Sequence, residues 1–341
     1  MRIPALTSRL RNLISGQSGS MSHESHCPDD PNLSEARSTA QTQSRVSEFW
    51  AEALTLEEKR LVAWMEHPYV LSHINRRTTG NERTDWCRYV RQKWFGSPVQ
   101  TALNLGCGDG GFEGLLYELG FAERIEAIDI SKGAIEKARA RVASAGLQDK
   151  IEHSVADLNE LRLKEGIYGA IFCCMSIHHV RNLENLFEQA AKGLQPGGML
   201  IFNEYVGPNR FQMPDERVRM INAALQLLPP RFRRLIVKGA ATDKVKEVHR
   251  NTLLSWFEVN DPSESERSAD ILEVARKYFD YLEFKPYGGG IAHLALKDIA
   301  GNFVTDEDTK WLDVLLKLEG DLEERGLLES DFVMAVATPR Q

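Results

Sequence analysis

No apolar run in this chain approaches the roughly 18 residues that a membrane-crossing helix needs, so the sequence contains no candidate span. Positive charge is in deficit: 42 Lys and Arg against 49 Asp and Glu give a formal charge of -7. That removes the global field that draws proteins to nucleic acid or anionic lipid, and a nucleic-acid partner is disfavoured. Cysteine is scarce. Cys27, Cys87, Cys107, Cys173 and Cys174 are odd in number and unevenly spaced, mostly inside apolar runs. This usage fits reduced thiols in a cytoplasmic setting rather than a disulfide framework. No G-K-[ST] follows a glycine loop, which excludes a nucleoside triphosphate loop, and there is no internal repeat. The opening MRIPALTSRLRNLISG carries Arg2, Arg9 and Arg11 but no secretory apolar core. It reads as an organellar transit peptide or a short lead, with Met21 as an alternative start.

What is present organises itself into segments. From Ser15 to about Ser44 the chain is polar with almost no large apolar side chain, too few to offset the entropy of ordering, and residues 1–45 are expected to be a disordered segment. Residues 46–98 place Phe49, Trp50, Leu54, Leu61, Trp64 and Met65 at helical spacings and add a second helix ending at Gly96, which predicts a helical cap. From residue 99 to 341, short apolar runs alternate with amphipathic stretches. Strands are expected at 101–105, 124–130, 150–155, 168–175 and 198–206, with helices beginning near Phe112, Ser131 and Leu183. This is the signature of an α/β doubly wound, Rossmann-like parallel sheet. The alternation stops at 207–270, where Pro214, Pro229, Pro230 and Pro262 break helical pieces. An insertion after strand 5 lies beside the carboxyl ends of the strands and is expected to form a helical lid over a substrate. A helix, two runs around the glycines of YLEFKPYGGGIAHLAL, another helix and a last strand, DFVMAVATP, complete the sheet.

The stretch LNLGCGDGG, residues 103–111, satisfies G-x-G-x-x-G through Gly106, Gly108 and Gly111, after a strand and before a helix. Backbone N–H groups and the positive helix end then face a ligand. Nicotinamide, flavin and S-adenosylmethionine binders share this pattern. Asp129, ending the second strand, stands where an acid accepts from both ribose hydroxyls, or else caps the helix SKGAIEKARA. Asp157, just past the third strand, is suited to the adenine amine, with Ile130 and Leu158 against the ring, or else is a turn aspartate. With IDIS, VADL, YGAIFCCMSIHHV and LQPGGMLIFNEY, the region from about 99 to 206 resembles the class I S-adenosylmethionine-dependent methyltransferases. The resemblance implies a seven-stranded sheet and S-adenosylmethionine as cofactor. It implies cofactor contacts from Asn104, Gly106, Gly108, Asp129, Ile130, Asp157, Leu158 and Met175. Many members carry an acid where this chain has Asn104, so the cofactor's ammonium is left to carbonyls or another acid.

The resemblance further implies methyl transfer by direct displacement at a sulfonium, for which the protein supplies alignment and dryness. With a hydroxyl acceptor on a small molecule or glycan, a general base is needed. His178 and His179 in the loop after the fourth strand are placed for it by topology, or are a packing pair. Glu204 is either a base or substrate contact, or a buried carboxylate tying down the insertion; Arg210 pairs with Glu204 or with an acidic substrate. No metal is expected. Cys173 and Cys174 are adjacent on a strand and face opposite ways, so they do not converge with His178 and His179 on one ion. Trp64, Tyr69, Trp86 and Trp94 read as core or as a pocket lining. The loop lacks the [DN]-P-P-[YFW] pattern of amino-group methylation on adenine or glutamine. Two other readings stay open: a nicotinamide-dependent oxidoreductase or epimerase, although no Y-x-x-x-K lies near strands four or five, and a non-catalytic binding protein on the same fold.

Overall fold

The computed structural model describes residues 63–237 and 239–340. The expectations for residues 1–45, for Met21 and for the first part of the helical cap lie outside the described residues.

The cap opens with a 3-10 turn, Trp64–Glu66, followed by α1 (Pro68–Thr79) and α2 (Trp86–Trp94). Pro68 supplies a fixed φ at the first helical position, and the His67 ring accepts from Tyr69 N at 3.1 Å. Asp85 starts α2 by accepting from Arg88 N at 2.9 Å, the usual work of an N-cap acid. Trp64 and Trp86 are buried in the core, with Tyr69 and Trp94 packed partly against it.

The central unit runs β1 (Val99–Leu105), α3 (Gly111–Glu118), β2 (Ala122–Asp129), α4 (Lys132–Ser144), β3 (Ile151–Val155), β4 (Tyr168–Cys174), α5 (Leu183–Gly193) and β5 (Leu194–Tyr205). An insertion carries α6 (Asp215–Leu227), β6 (Arg234–Val237), β7 (Ala240–Val245) and α7 (Leu254–Val259). The chain ends with α8 (Ile271–Tyr278), β8 (Phe279–Gly288), α9 (Ala292–Leu296), α10 (Asp306–Glu324) and β9 (Phe332–Pro339). Seven strands form one sheet in the order β3-β2-β1-β4-β5-β9-β8. The first five are parallel, and β9 runs antiparallel to both β5 and β8. Strand order reverses between β1 and β4, which opens a crevice at their carboxyl ends. The glycine loop leaves β1 at that point.

Strand alternation divides the core in two. Leu103, Leu105, Ile171 and Cys173 pack on one face with Leu183, Leu186 and Val274 of α5 and α8. Ala102, Phe172 and Cys174 pack on the other with Trp86 and Phe112. Phe172 meets Phe112 and Phe121 edge-on at ring separations of 6.1 and 5.0 Å; burying each such ring contributes about 1.5–3 kcal/mol. Cys173 and Cys174 therefore do face opposite ways.

Two local expectations are corrected. The run IAHLAL is the helix α9, not a strand, because the buried Glu319 carboxylate accepts from Gly289 N, Ile291 N and Ala292 N at 2.7–2.8 Å and so fixes a helix start. The insertion is not purely helical: β6 and β7 form a two-stranded antiparallel hairpin. Lys246, just past it, donates to the carbonyls of Leu294 and Lys297 at 2.7 and 2.8 Å and ties the hairpin to the end of α9. Among the described residues no helix is long and apolar enough to cross a membrane.

Candidate active site

The glycine loop is fixed from behind. Gly106 N and Cys107 N both donate to Ile128 O, at 2.8 and 3.0 Å. Gly106 has φ +74°, and a Cβ there would lie 2.4 Å from the Cβ of Ser176. Only glycine lets the loop after β4 come this close. Gly108 has φ +55° and a Cβ would meet nothing within 4 Å; its free side is open for a ligand.

Asp129 is half-buried, and its carboxylate accepts from Gly108 N at 2.9 Å and from Ser131 N at 2.8 Å. It thus joins the glycine loop to the start of α4, while Ser131 Oγ caps that helix at Ala134 N. Burial raises its pKa, against the two backbone N–H groups. Each carboxylate oxygen keeps a lone pair for a further donor. Asp157 accepts from Asn159 N and Nδ2 at 2.8 and 2.9 Å and starts a 3-10 turn that buries Leu158. Ile130 and Met175 are half-buried near the same rim. Met175 takes φ +54° and donates its N–H to Asn203 O at 2.8 Å. Asn104 also has a structural role. Its side chain is buried and donates through Nδ2 to Glu113 of α3, with His153 Nε2 3.8 Å from the other Glu113 oxygen. It anchors α3 beneath the loop, and Glu113, its partner, carried no signal in the sequence beyond helical phase.

The loop after β4 is held by Glu204, which is fully buried. Its carboxylate accepts from Ser176 N at 2.8 Å, Ile177 N at 2.6 Å and Tyr205 N at 2.8 Å, and from His178 Nδ1 in a short contact. Glu204 ties down this loop; the insertion is held by Arg210. Arg210 donates to the carbonyls of Glu264 and Pro262 at 2.8 and 2.7 Å, and its backbone N–H to Ser265 O at 2.7 Å. It does not pair with Glu204.

The two histidines have opposite characters. His178 lies buried with Glu204 on Nδ1 and Glu264 Oε1 3.6 Å from Nε2. Burial opposes its charge, but the charges of Glu204, Glu264 and Asp261 and the Glu204 hydrogen bond outweigh it and raise the pKa. His178 is clamped between two carboxylates. His179 is half-buried, its ring 4.2 Å from that of His178. Burial first, then the charge of His178, lowers its pKa, against Glu264, Asp261 and Glu204. A pKa below 6.5 leaves the ring mostly neutral at pH 7. Its Nδ1 lies 3.1 Å from Ser263 Oγ. Asp261, Ser263 and Glu264, all in the insertion, were missed as site residues; the cue was DPSE, a turn-forming acid-Pro-Ser-acid string.

Residues 103–202 match a family model described as a methyltransferase domain. That stretch of the chain is a methyltransferase domain of the class I S-adenosylmethionine-dependent kind. The methyltransferase is 24% identical over 189 residues to the 27-O-demethylrifamycin SV methyltransferase of Amycolatopsis mediterranei, covering 54% of this chain and 67% of that one. It is 29% identical over 118 residues to phosphoethanolamine N-methyltransferase 3 of Arabidopsis thaliana, covering 35% and 24%. Geranyl diphosphate C-methyltransferase from Streptomyces coelicolor A3(2) superposes with a TM-score of 0.48 at 14% identity, over 89% of this chain and 100% of that one. S-adenosylmethionine is the cofactor of this fold. The residues present fit it: Gly108 opens onto free space beside a carboxylate with lone pairs to spare.

Proposed function

We propose that the methyltransferase acts on a hydroxyl group of a small molecule or glycan, with His179 as general base. S-adenosylmethionine, when bound, supplies an electrophilic methyl group. Asp129 would hold its ribose, Asp157 with Ile130 and Leu158 its adenine, and the open side of Gly108 its approach to the loop. The chain's own contribution to the chemistry is to orient the acceptor, to keep water out and to take up one proton. A hydroxyl is a poor nucleophile until its proton leaves, and general-base assistance contributes about 10²–10⁴-fold.

The observation that carries this reading is the contrast between the histidines. Both ring nitrogens of His178 face carboxylates, Nδ1 that of Glu204 and Nε2 that of Glu264, so neither is turned toward an acceptor. His179 turns its Nδ1 to Ser263, and burial and the neighbouring His178 lower its pKa, so its ring keeps a lone pair at pH 7. A hydroxyl acceptor also agrees with the relative whose name specifies an O-demethyl substrate. Calorimetric titration with S-adenosylmethionine and NAD, followed by radiolabelled methyl transfer to a panel of phenols, sugars and hydroxylated macrolides, tests the reading. Tight binding of S-adenosylmethionine alone is expected, with transfer to a hydroxyl that falls at least a hundredfold in His179→Gln while cofactor affinity holds. The rate should rise with pH through a midpoint below 6.5, since the base acts only when deprotonated. Transfer to amines alone, or undiminished transfer in His179→Gln, refutes it.

A further inference from the structure

The insertion places a buried acid and a hydroxyl in line with His179. Ser263 Oγ donates to Asp261 Oδ1 at 2.7 Å, and the same oxygen lies 3.1 Å from His179 Nδ1. A hydroxyl has one proton, and this one is given to the carboxylate. Its remaining capacity is to accept, so the His179 nitrogen facing it must be the donor. The neutral ring is then protonated on Nδ1, and the lone pair sits on Nε2. Asp261 also receives Ser263 N at 3.1 Å, which locks the turn that presents the hydroxyl. Asp261 is fully buried, yet its Oδ2 has no hydrogen-bond partner among the described residues. A half-satisfied buried carboxylate is costly to leave in place, and such a group calls for an explanation beyond folding.

We propose that Asp261 and Ser263 are positioning residues that hold His179 as its Nδ1–H tautomer, so that the base is complete only while the insertion lies against the loop after β4. This rests on the reading of His179 as the base. The chain of contacts is Asp261 to Ser263 to His179, and protonation of the ring at Nε2 places an imidazolium one hydroxyl away from a buried carboxylate. Nothing is consumed: the proton leaves the acceptor oxygen, is held on Nε2 and departs to solvent when the site opens. The groups facing His179 are His178 and Glu204 from the sheet side, Asp129 from the cofactor loop, and Asp261 and Glu264 from the insertion. The insertion is stitched in place by Arg210, so the relay depends on its closure. An acceptor that docks under the insertion and one that props it open would meet different bases.

Long-range ¹H–¹⁵N correlation spectra of the full chain labelled in histidine read the tautomer with no acceptor present. In the wild type, His179 should show a protonated Nδ1 and a bare Nε2. Ser263→Ala should release the ring to a mixture dominated by the Nε2–H form, and Ser263→Thr, which keeps the hydroxyl, should restore the wild-type pattern. Asp261→Asn keeps an acceptor for Ser263 but removes the charge, so the His179 titration midpoint should fall while the tautomer holds. S-adenosylmethionine affinity within about twofold of wild type certifies each variant as folded. An Nε2–H ring in the wild type, a tautomer unchanged in Ser263→Ala, or an unmoved midpoint in Asp261→Asn overturns the proposal. If the base assignment itself fails, His179→Gln retains methyl transfer while these spectra still decide the relay.

Discussion

Two glycines in one loop should fail in opposite ways when given a methyl group. At Gly106 the added Cβ would sit 2.4 Å from Ser176 Cβ and 3.0 Å from Ser176 Oγ. Ser176 cannot retreat, because its Oγ donates to Leu105 O at 2.7 Å and its N–H to Glu204 at 2.8 Å. Gly106→Ala therefore adds a left-handed backbone strain of about 1–2 kcal/mol to an overpacking cost of about 1–3 kcal/mol. The sum is about 2–5 kcal/mol of folding stability. Gly108→Ala at φ +55° has the strain alone, since its Cβ meets nothing, so its cost should stay near 1–2 kcal/mol. Its new methyl group stands instead in the space beside Asp129, to which Gly108 N donates.

Urea denaturation and calorimetric titration with S-adenosylmethionine separate the two. Gly106→Ala should lose most in unfolding free energy, and Gly108→Ala should keep most of its stability while its cofactor affinity falls at least tenfold, about 1.4 kcal/mol. Equal losses of stability would mean that the loop is not packed on Ser176. Wild-type affinity in Gly108→Ala would mean that the cofactor does not approach the loop on this side.

Two further expectations concern stability. Glu204→Gln replaces a buried carboxylate that receives three backbone N–H groups and His178; the amide turns one acceptor into a donor facing those N–H groups and removes the charge against His178, so unfolding free energy should fall by about 3–5 kcal/mol, and a change below about 1 kcal/mol in urea denaturation would refute the anchor. His73, His249 and His293 have pKa values lowered, chiefly by burial, to about 4, about 4 and about 3. The unfolded chain binds their protons near pH 6.5 and the folded chain does not, so stability falls as pH drops from 6.5 toward 4. His178, raised above 6.5, is protonated in both states through most of this window, and its contribution is lost only as pH rises. The urea midpoint should decline across the window, less steeply in His293→Gln; a flat profile would refute the assignment.

The limits of what the sequence discloses follow from which contacts are local. Asp129 is legible because it ends a strand next to the glycine loop, and both its backbone donors lie within that neighbourhood. Asn104 is legible as a departure from an acid but not as an anchor, because Glu113 meets it through the phase of α3 and not through any motif. The residues 178 and 179 are chemically identical in sequence. One residue of rotation sends the first between Glu204 and Glu264 and the second toward Ser263, and Ser263 lies 84 residues further on. The motif residues are legible because they sit in or just after strands whose positions the fold already dictates. The contacts of His179 come instead from an insertion that carries no motif, and connecting segments of this kind are where substrate specificity concentrates. The residues that distinguish this methyltransferase from others of its fold should therefore be sought in the segment 260–265, packed on His179, rather than in the glycine loop.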